Sequence, residues 1–171
     1  SPAAIQIILE SGLPAVIDAD ALNLIAKNSF LKTLLRSHHI LTPHPGEMAR
    51  LTGLSAEYIQ QHRLEVAQSF AQEHGVWVVL KGANTVVATP DGRLYMNITD
   101  SPSLAVAGSG DVLSGIIGAM LAQGMKPEDA CCIAVYLHGR AGQLVAETIG
   151  EVSSKAGDII AYIPTVFKQG V

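Results

Sequence analysis

The sequence predicts an α/β domain with an open, largely parallel sheet and helices on both faces. Three observations predict it. Short β-branched or apolar runs alternate with longer stretches whose apolar residues recur at helical spacing, the pattern of strand–helix units around a parallel sheet. Several of those runs end in polar residues (Asp18, His44, Lys81), at the strand edge where α/β sheets bind ligands. A glycine-rich turn at 107–110 runs straight into an apolar helix.

In chain order, the segment from Pro2 to Glu10 reads as a helix stopped at Ser11-Gly12. Pro14-Ala15-Val16-Ile17 is a short buried strand ending at Asp18, and a helix follows from Asp20. Asp18 and Asp20 are either caps of that helix or ligand-facing acids at the strand edge. A second strand, His39-Ile40-Leu41-Thr42, stops at Pro43. Residues 43–47, Pro-His-Pro-Gly-Glu, are expected to be irregular because two prolines flank the histidine. That clamp makes His44 a ligand candidate as well as an ordinary surface histidine. A short helix then closes at Gly53, and one long amphipathic helix is expected from a Ser55 cap to His74-Gly75. Val76-Trp77-Val78-Val79-Leu80 is the clearest strand, and residues 85–89 and 93–97 form a hairpin around Pro90-Asp91-Gly92. Lys81, at the end of that strand, is either solvated or a phosphate contact, and Gly82 permits close backbone approach to a ligand. After a Ser101-Pro102-Ser103 loop comes the glycine turn. Two helices close the chain, at about 128–148 and 156–167.

In the stretch Ala107-Gly108-Ser109-Gly110-Asp111-Val112-Leu113-Ser114-Gly115, residues Val112, Leu113, Ile116, Ile117, Met120 and Leu121 share one apolar face, and Gly124 is the stop. The first helical turn leaves backbone N–H groups for an anion, with Gly108 and Gly110 keeping side chains out of its way. Asp111 is then either an N-cap or a general base beside a polyphosphate.

The chain has 171 residues, 49% of them hydrophobic, enough for one substantial core in a single domain. Fifteen acidic against eleven basic residues give a net charge of −4, which argues against a nucleic-acid or anionic-membrane partner. No apolar run approaches the roughly 20 residues that span a bilayer, and no secretory leader is legible at the start. The adjacent Cys131-Cys132 pair lacks zinc or redox spacing and reads as two small core residues in a reducing, cytoplasmic setting.

Four stretches in this order resemble the NAD(P)H-hydrate dehydratases of the ribokinase-like superfamily: Val16 through Asn23, Leu41 through Glu47, Leu80-Lys81-Gly82 through Thr85, and Ala107 through Gly115. His138-Gly139-Arg140-Ala141-Gly142 fits as well. The Gly-Ser-Gly-Asp element is shared across the superfamily, whereas the Thr-Pro-His-Pro-Gly-Glu stretch is the discriminating one. The resemblance implies a three-layer α/β/α fold with a largely parallel sheet. It also implies ATP- or ADP-dependent repair of hydrated NADH or NADPH, by phosphorylation of the ring hydroxyl and elimination of phosphate. Asp111 matches the catalytic acid and, with His44, the contact to the hydrated dinucleotide. Lys81, Gly82, Ala83, Asn84, Thr85 and Gly110 match the adenine-nucleotide site. Mg²⁺ is expected with the phosphates, although no ligand set for it is legible. ADP is the expected nucleotide by family analogy, and a homo-oligomer, up to a tetramer, the expected assembly.

Two departures from the family pattern stand out. The family domain is longer at its N-terminus, so the chain is expected to start inside it. Ser101 and Ser103 also stand where many members carry asparagine and glycine. Two other readings compete. One is a ribokinase-like small-molecule kinase of the hydroxymethylpyrimidine or hydroxyethylthiazole type, which is expected to lack the Pro43-His44-Pro45 element. The other is a non-catalytic nucleotide-binding remnant.

Overall fold

The β-rich runs form five strands in one sheet: β1 (Ala15–Ile17), β2 (His39–Leu41), β3 (Trp77–Leu80), β4 (Val86–Ala88) and β5 (Leu94–Met96), in that spatial order. The coordinates come from a computed structural model that describes residues 1–99 and 101–170. β1 pairs parallel with β2 (Val16 opposite Ile40), and β2 parallel with β3 (Leu41 opposite Val78). β3 and β4 pair antiparallel, with Val79 opposite Val87. Parallel strands need crossovers, and helices supply them: α2 (Asp20–Lys27) and α3 (Ser29–Thr33) between β1 and β2, then α4 (Pro45–Thr52), α5 (Ala56–Gln61) and α6 (Arg63–His74) between β2 and β3. α1 (Pro2–Glu10) precedes β1, and α7 (Ser109–Ala122), α8 (Pro127–Thr148) and α9 (Ala156–Gln169) follow the hairpin.

The chain divides into two compact units, Ser1–Gly82 with Val86–Tyr95, and Ala83–Thr85 with Met96–Val171. In the first, Ile17, Leu41, Val78, Leu80, Val86 and Ala88 project from the strands into one cluster with Leu22, Ile25, Met48, Leu51, Ile59 and Phe70 from the helices. Trp77 and Val79 lie outside that cluster and are buried too, so both faces of β3 are covered. That explains a strand without polar alternation. Burying each such Leu or Ile contributes about 1.5–3 kcal/mol. Caps set the boundaries. Ser55 Oγ accepts from Tyr58 N at 3.1 Å, Asn28 Oδ1 from Phe30 N at 3.0 Å, and α4 ends at Gly53 with φ +78°.

Three local expectations are corrected. Residues 43–47 are not irregular throughout, because α4 already begins at Pro45. Proline at the first helical position loses only an N–H that would be unpaired there anyway. The single helix expected over 55–74 is broken at His62, whose φ of −125° and ψ of 36° leave the helical region for one residue. The break lets the His62 ring stack on Tyr58 at 4.2 Å and starts α6 at Arg63, whose guanidinium reaches across to β3. The Ser101-Pro102-Ser103 loop contains a 3-10 turn, Pro102–Leu104, capped by Ser101.

In the second unit α7 packs on α8 and α9, and Val112, Leu113 and Ile117 of α7, Leu137 and Ala141 of α8 and Ile159 of α9 are all buried. Cys131 is fully buried, which pushes its thiol pKa up, with Cys132 adding to the shift, so it is an inert core residue. Cys132 is half-buried. One face of α8 must be bare. A Cβ on Gly139 would lie 2.0 Å from the Thr99 carbonyl oxygen, and one on Gly142 would lie 2.6 Å from Leu104 Cδ2. Residues 97–99 and 101–104 lie against that face, where Asn97 Nδ2 donates to Val135 O at 3.2 Å.

Candidate functional site

In the first unit a polar cluster collects at the C-terminal ends of β1, β2 and β3. Asp18 follows β1 directly. Its Oδ1 accepts from Ala19 N at 2.8 Å and from Lys81 Nζ at 2.7 Å. Lys81 follows β3. Its N donates to Pro43 O at 2.8 Å, and its Nζ lies 4.0 Å from Glu47 Oε2. Side chains of Asp18, Lys81 and Glu47 are only 14%, 18% and 6% exposed, so the lysine is not simply solvated and its ammonium is held on Asp18. Asp18 is also not the helix cap. The cap position of α2 is Ala19, whose φ of +51° and ψ of −120° cost a non-glycine residue about 1–3 kcal/mol. Asp20 stands in the first turn of α2.

His44, after β2, caps α4 with its ring. Nδ1 accepts from Gly46 N at 3.0 Å and Glu47 N at 3.3 Å, while Glu47 Oε2 accepts from His44 N at 2.8 Å. The far side of the ring is open, the side chain being 50% exposed. Gly82 does permit a close approach, but the group that comes near is Arg63. The guanidinium donates to Leu80 O at 3.0 Å and Lys81 O at 3.3 Å, and a Cβ on Gly82 would sit 2.8 Å from Nη1.

In the second unit, Ala83 and Asn84 are exposed, Asn84 with φ +55°, and Thr85 O accepts from Asn97 N at 2.9 Å. The glycine turn belongs to the same unit. Gly108, at φ +85°, is the N-cap of α7 and has no side chain to cap with. Its bareness is required by the chain itself, since a Cβ there would crowd Ala156 Cβ at 3.2 Å. Asp111 is the third residue of α7, so the cap reading is excluded. Among the described residues its carboxylate accepts no hydrogen bond, and the Gly110 and Asp111 amides donate to no acceptor. An exposed carboxylate beside unpaired amides at the start of a 14-residue helix has the elements of an anion site with a base at hand. His138 on α8 fixes that start. Its Nε2 lies 2.9 Å from Ser109 Oγ and 3.0 Å from Ser109 O.

Of the residues singled out from sequence, His44 and Lys81 come together through Glu47, and Gly110 adjoins Asp111. Glu47, Arg63 and His138 were missed as site residues. A glutamate three residues after a capping residue was the available signal for Glu47.

Polar C-terminal edges on parallel strands and a glycine turn opening an apolar helix define a ribokinase-like α/β protein. A solved ribokinase-like superfamily protein from Enterococcus faecalis superposes with TM-score 0.83 at 30% identity, over 98% of this chain and 58% of its own. An ADP/ATP-dependent NAD(P)H-hydrate dehydratase from Bacillus subtilis, crystallised with ATP/Mg²⁺ and soaked with CoA, superposes with TM-score 0.86 at 35% identity, over 97% and 60%. The family profile described as NAD(P)H-hydrate dehydratase matches residues 1–165. The chain belongs to that family. The bifunctional NAD(P)H-hydrate repair enzyme of Moorella thermoacetica is 48% identical over 157 residues, 92% of this chain and 30% of that protein. The chain thus spans less than two thirds of the length of these relatives.

Proposed function

We propose that the protein carrying this chain dehydrates hydrated NADH or NADPH at the expense of ADP or ATP, within one ribokinase-like domain. The observation that carries the reading is the start of α7, where the carboxylate of Asp111 is exposed and unspent and the Gly110 and Asp111 amides are unpaired among the described residues. Asp111 takes the proton of the substrate's ring hydroxyl as its oxygen forms a bond to the terminal phosphorus and the bond to the nucleotide's bridging oxygen breaks. The two amides, held by the His138–Ser109 contacts, stabilise charge building on the transferring phosphoryl oxygens without having to reorganise. Phosphate then leaves as the adjacent ring carbon gives up a proton, and the C–H electron pair becomes the restored ring double bond.

On the family resemblance, nucleotide binding is assigned to Lys81, Gly82, Ala83, Asn84, Thr85 and Gly110, and contact with the hydrated dinucleotide to His44 and Asp111. Mg²⁺ would come to the site as a phosphate-bound ion. Among the described residues no group of three or more His, Cys, Asp or Glu is placed to hold a metal. Phosphate oxygens, water and a single carboxylate are the usual Mg²⁺ shell. Bound there, the ion would neutralise phosphate charge. The reading extends to a cytoplasmic homo-oligomer. Apolar side chains exposed at Ile7, Leu13, Ile160 and Phe167 are surface that such an assembly would cover. Among the described residues no helix is long and apolar enough to cross a membrane.

The test is incubation of the full-length protein with hydrated NADPH, Mg²⁺ and either ADP or ATP, following the reduced nicotinamide absorbance. Nucleotide-dependent recovery is expected. No recovery with either nucleotide would overturn the reading.

A further inference from the structure

We infer that His44 meets its ligand as an Nε2–H donor, and that Glu47 and Gly46 are the positioning residues that make it so. The inference rests on the functional reading only for the identity of the ligand, an oxygen acceptor on the hydrated dinucleotide. The tautomer follows from the network around the ring. Nδ1 lies 3.0 Å from Gly46 N and 3.3 Å from Glu47 N, both of which can only donate. Nδ1 is therefore an acceptor, and the ring proton is assigned to Nε2. His44 Nε2 lies 3.6 Å from Glu47 Oε1, too far for a hydrogen bond, so the N–H is not consumed by its neighbour.

Three features hold this state. Glu47 Oε2 accepts from His44 N at 2.8 Å, which fixes the histidine backbone at the head of α4. The glutamate is itself steadied by Lys81, 4.0 Å from Oε2, whose ammonium is anchored on Asp18 at 2.7 Å. Gly46 supplies the room, since a Cβ there would lie 2.9 Å from His44 Cε1 and 3.2 Å from Nδ1. An aspartate or serine would cap the helix as well. Imidazole adds a second, outward-facing nitrogen whose proton is decided by the first. Donors fixed by a second layer of hydrogen bonds discriminate strongly against ligands that cannot accept.

The experiment uses the ¹⁵N-labelled full-length protein, with the His44 imidazole resonances assigned by their loss in His44→Gln. Multiple-bond ¹H–¹⁵N spectra of the ligand-free protein above pH 7.5 are expected to show Nε2 protonated and Nδ1 bare. A dominant Nδ1–H form, or a near-equal mixture, overturns the inference. In kinetics, Glu47→Ala is expected to raise KM for hydrated NADPH by roughly tenfold while KM for ADP stays within about twofold. Glu47→Gln keeps an acceptor for His44 N and recovers most of that loss. Equal rises in both KM values, or a Gln variant as poor as the Ala variant, would overturn the positioning role. A protein with the Nε2–H form that turns over no hydrated NADPH supports the tautomer and overturns only the functional reading.

Discussion

The two candidate regions are organised by opposite means. At the strand ends of the first unit, Asp18, Lys81 and Glu47 satisfy one another through side chains and are mostly withdrawn from water, and Glu47 in turn holds the backbone of the exposed His44. At the start of α7 in the second unit, the geometry comes from a missing side chain, Gly108 at φ +85°, and it leaves amides and a carboxylate unspent. A satisfied network fixes orientation and is costly to break. An unsatisfied helix start holds binding and chemical capacity in reserve. On the proposed reading, the first region orients and the second reacts.

The largest expected effect breaks the comparison at its chemical side. Asp111→Asn keeps the size of the side chain and removes the base. Turnover is expected to fall by roughly 10²–10⁴-fold, with ADP affinity nearly unchanged because the amides of α7 remain. Single-turnover kinetics beside equilibrium nucleotide binding read the two separately. A variant with full turnover would return Asp111 to a structural role.

The next effect breaks the other side. Lys81→Met removes the ammonium from between two carboxylates that are 14% and 6% exposed. Leaving them without their cation is expected to cost about 3 kcal/mol in urea unfolding, far more than the roughly 0–1 kcal/mol of an exposed ion pair. A cost under about 0.5 kcal/mol would mean that the cluster is solvated in practice.

His39, at the opposite end of β2 from His44, sharpens the comparison within the first unit. Its Nδ1 accepts from Arg36 N at 3.0 Å, yet its Nε2 is buried without a partner among the described residues. Burial first, then His38 and Arg36, lowers its pKa from 6.5 to about 4. The unfolded chain therefore takes up the proton before the folded one. Stability from this group is complete above about pH 6.5 and is lost as pH falls toward 4, by about 3 kcal/mol. Chemical unfolding of wild type and His39→Gln between pH 7.5 and 4.5 checks it. The variant is expected to show the shallower decline, and parallel curves would exclude His39 as the cause.

Much of the fold was legible because its punctuation is local. Gly12, Gly53, Gly75 and Gly124 all take positive φ where the helices were expected to stop, and Ser55 caps as its pattern indicates. The head of α4 was not legible, because histidine is outside the usual capping set and two prolines suggested a break. Of the candidate site, His44, Lys81 and Asp111 stood out by motif and lie at strand ends and a helix start. Their partners did not. Lys81 finds Asp18 across 63 positions and Ser109 finds His138 across 29, and no local pattern carries such pairings. Arg63 likewise reaches Leu80 O and Lys81 O only because the chain breaks at His62.

The smallest expected effect concerns Ser101 and Ser103. Both hydroxyls reach one acceptor, Gly142 O, at 3.2 and 2.5 Å, and they lie 2.9 Å from each other. Redundancy makes either one expendable. Ser103→Ala leaves Ser101 Oγ on the carbonyl and is expected to cost about 1 kcal/mol. Removing both leaves that pairing unmade against a helix face where Gly142 has no side chain to shield it. The double variant is therefore expected to cost more than the sum of the singles, by roughly 0.5–1 kcal/mol in a double-mutant cycle. Strict additivity would mean that the two hydroxyls act independently. The second unit would then hold its loop through shape alone, the close contacts of Gly139 with Thr99 and Gly142 with Leu104, rather than through the shared polar satisfaction that organises the first.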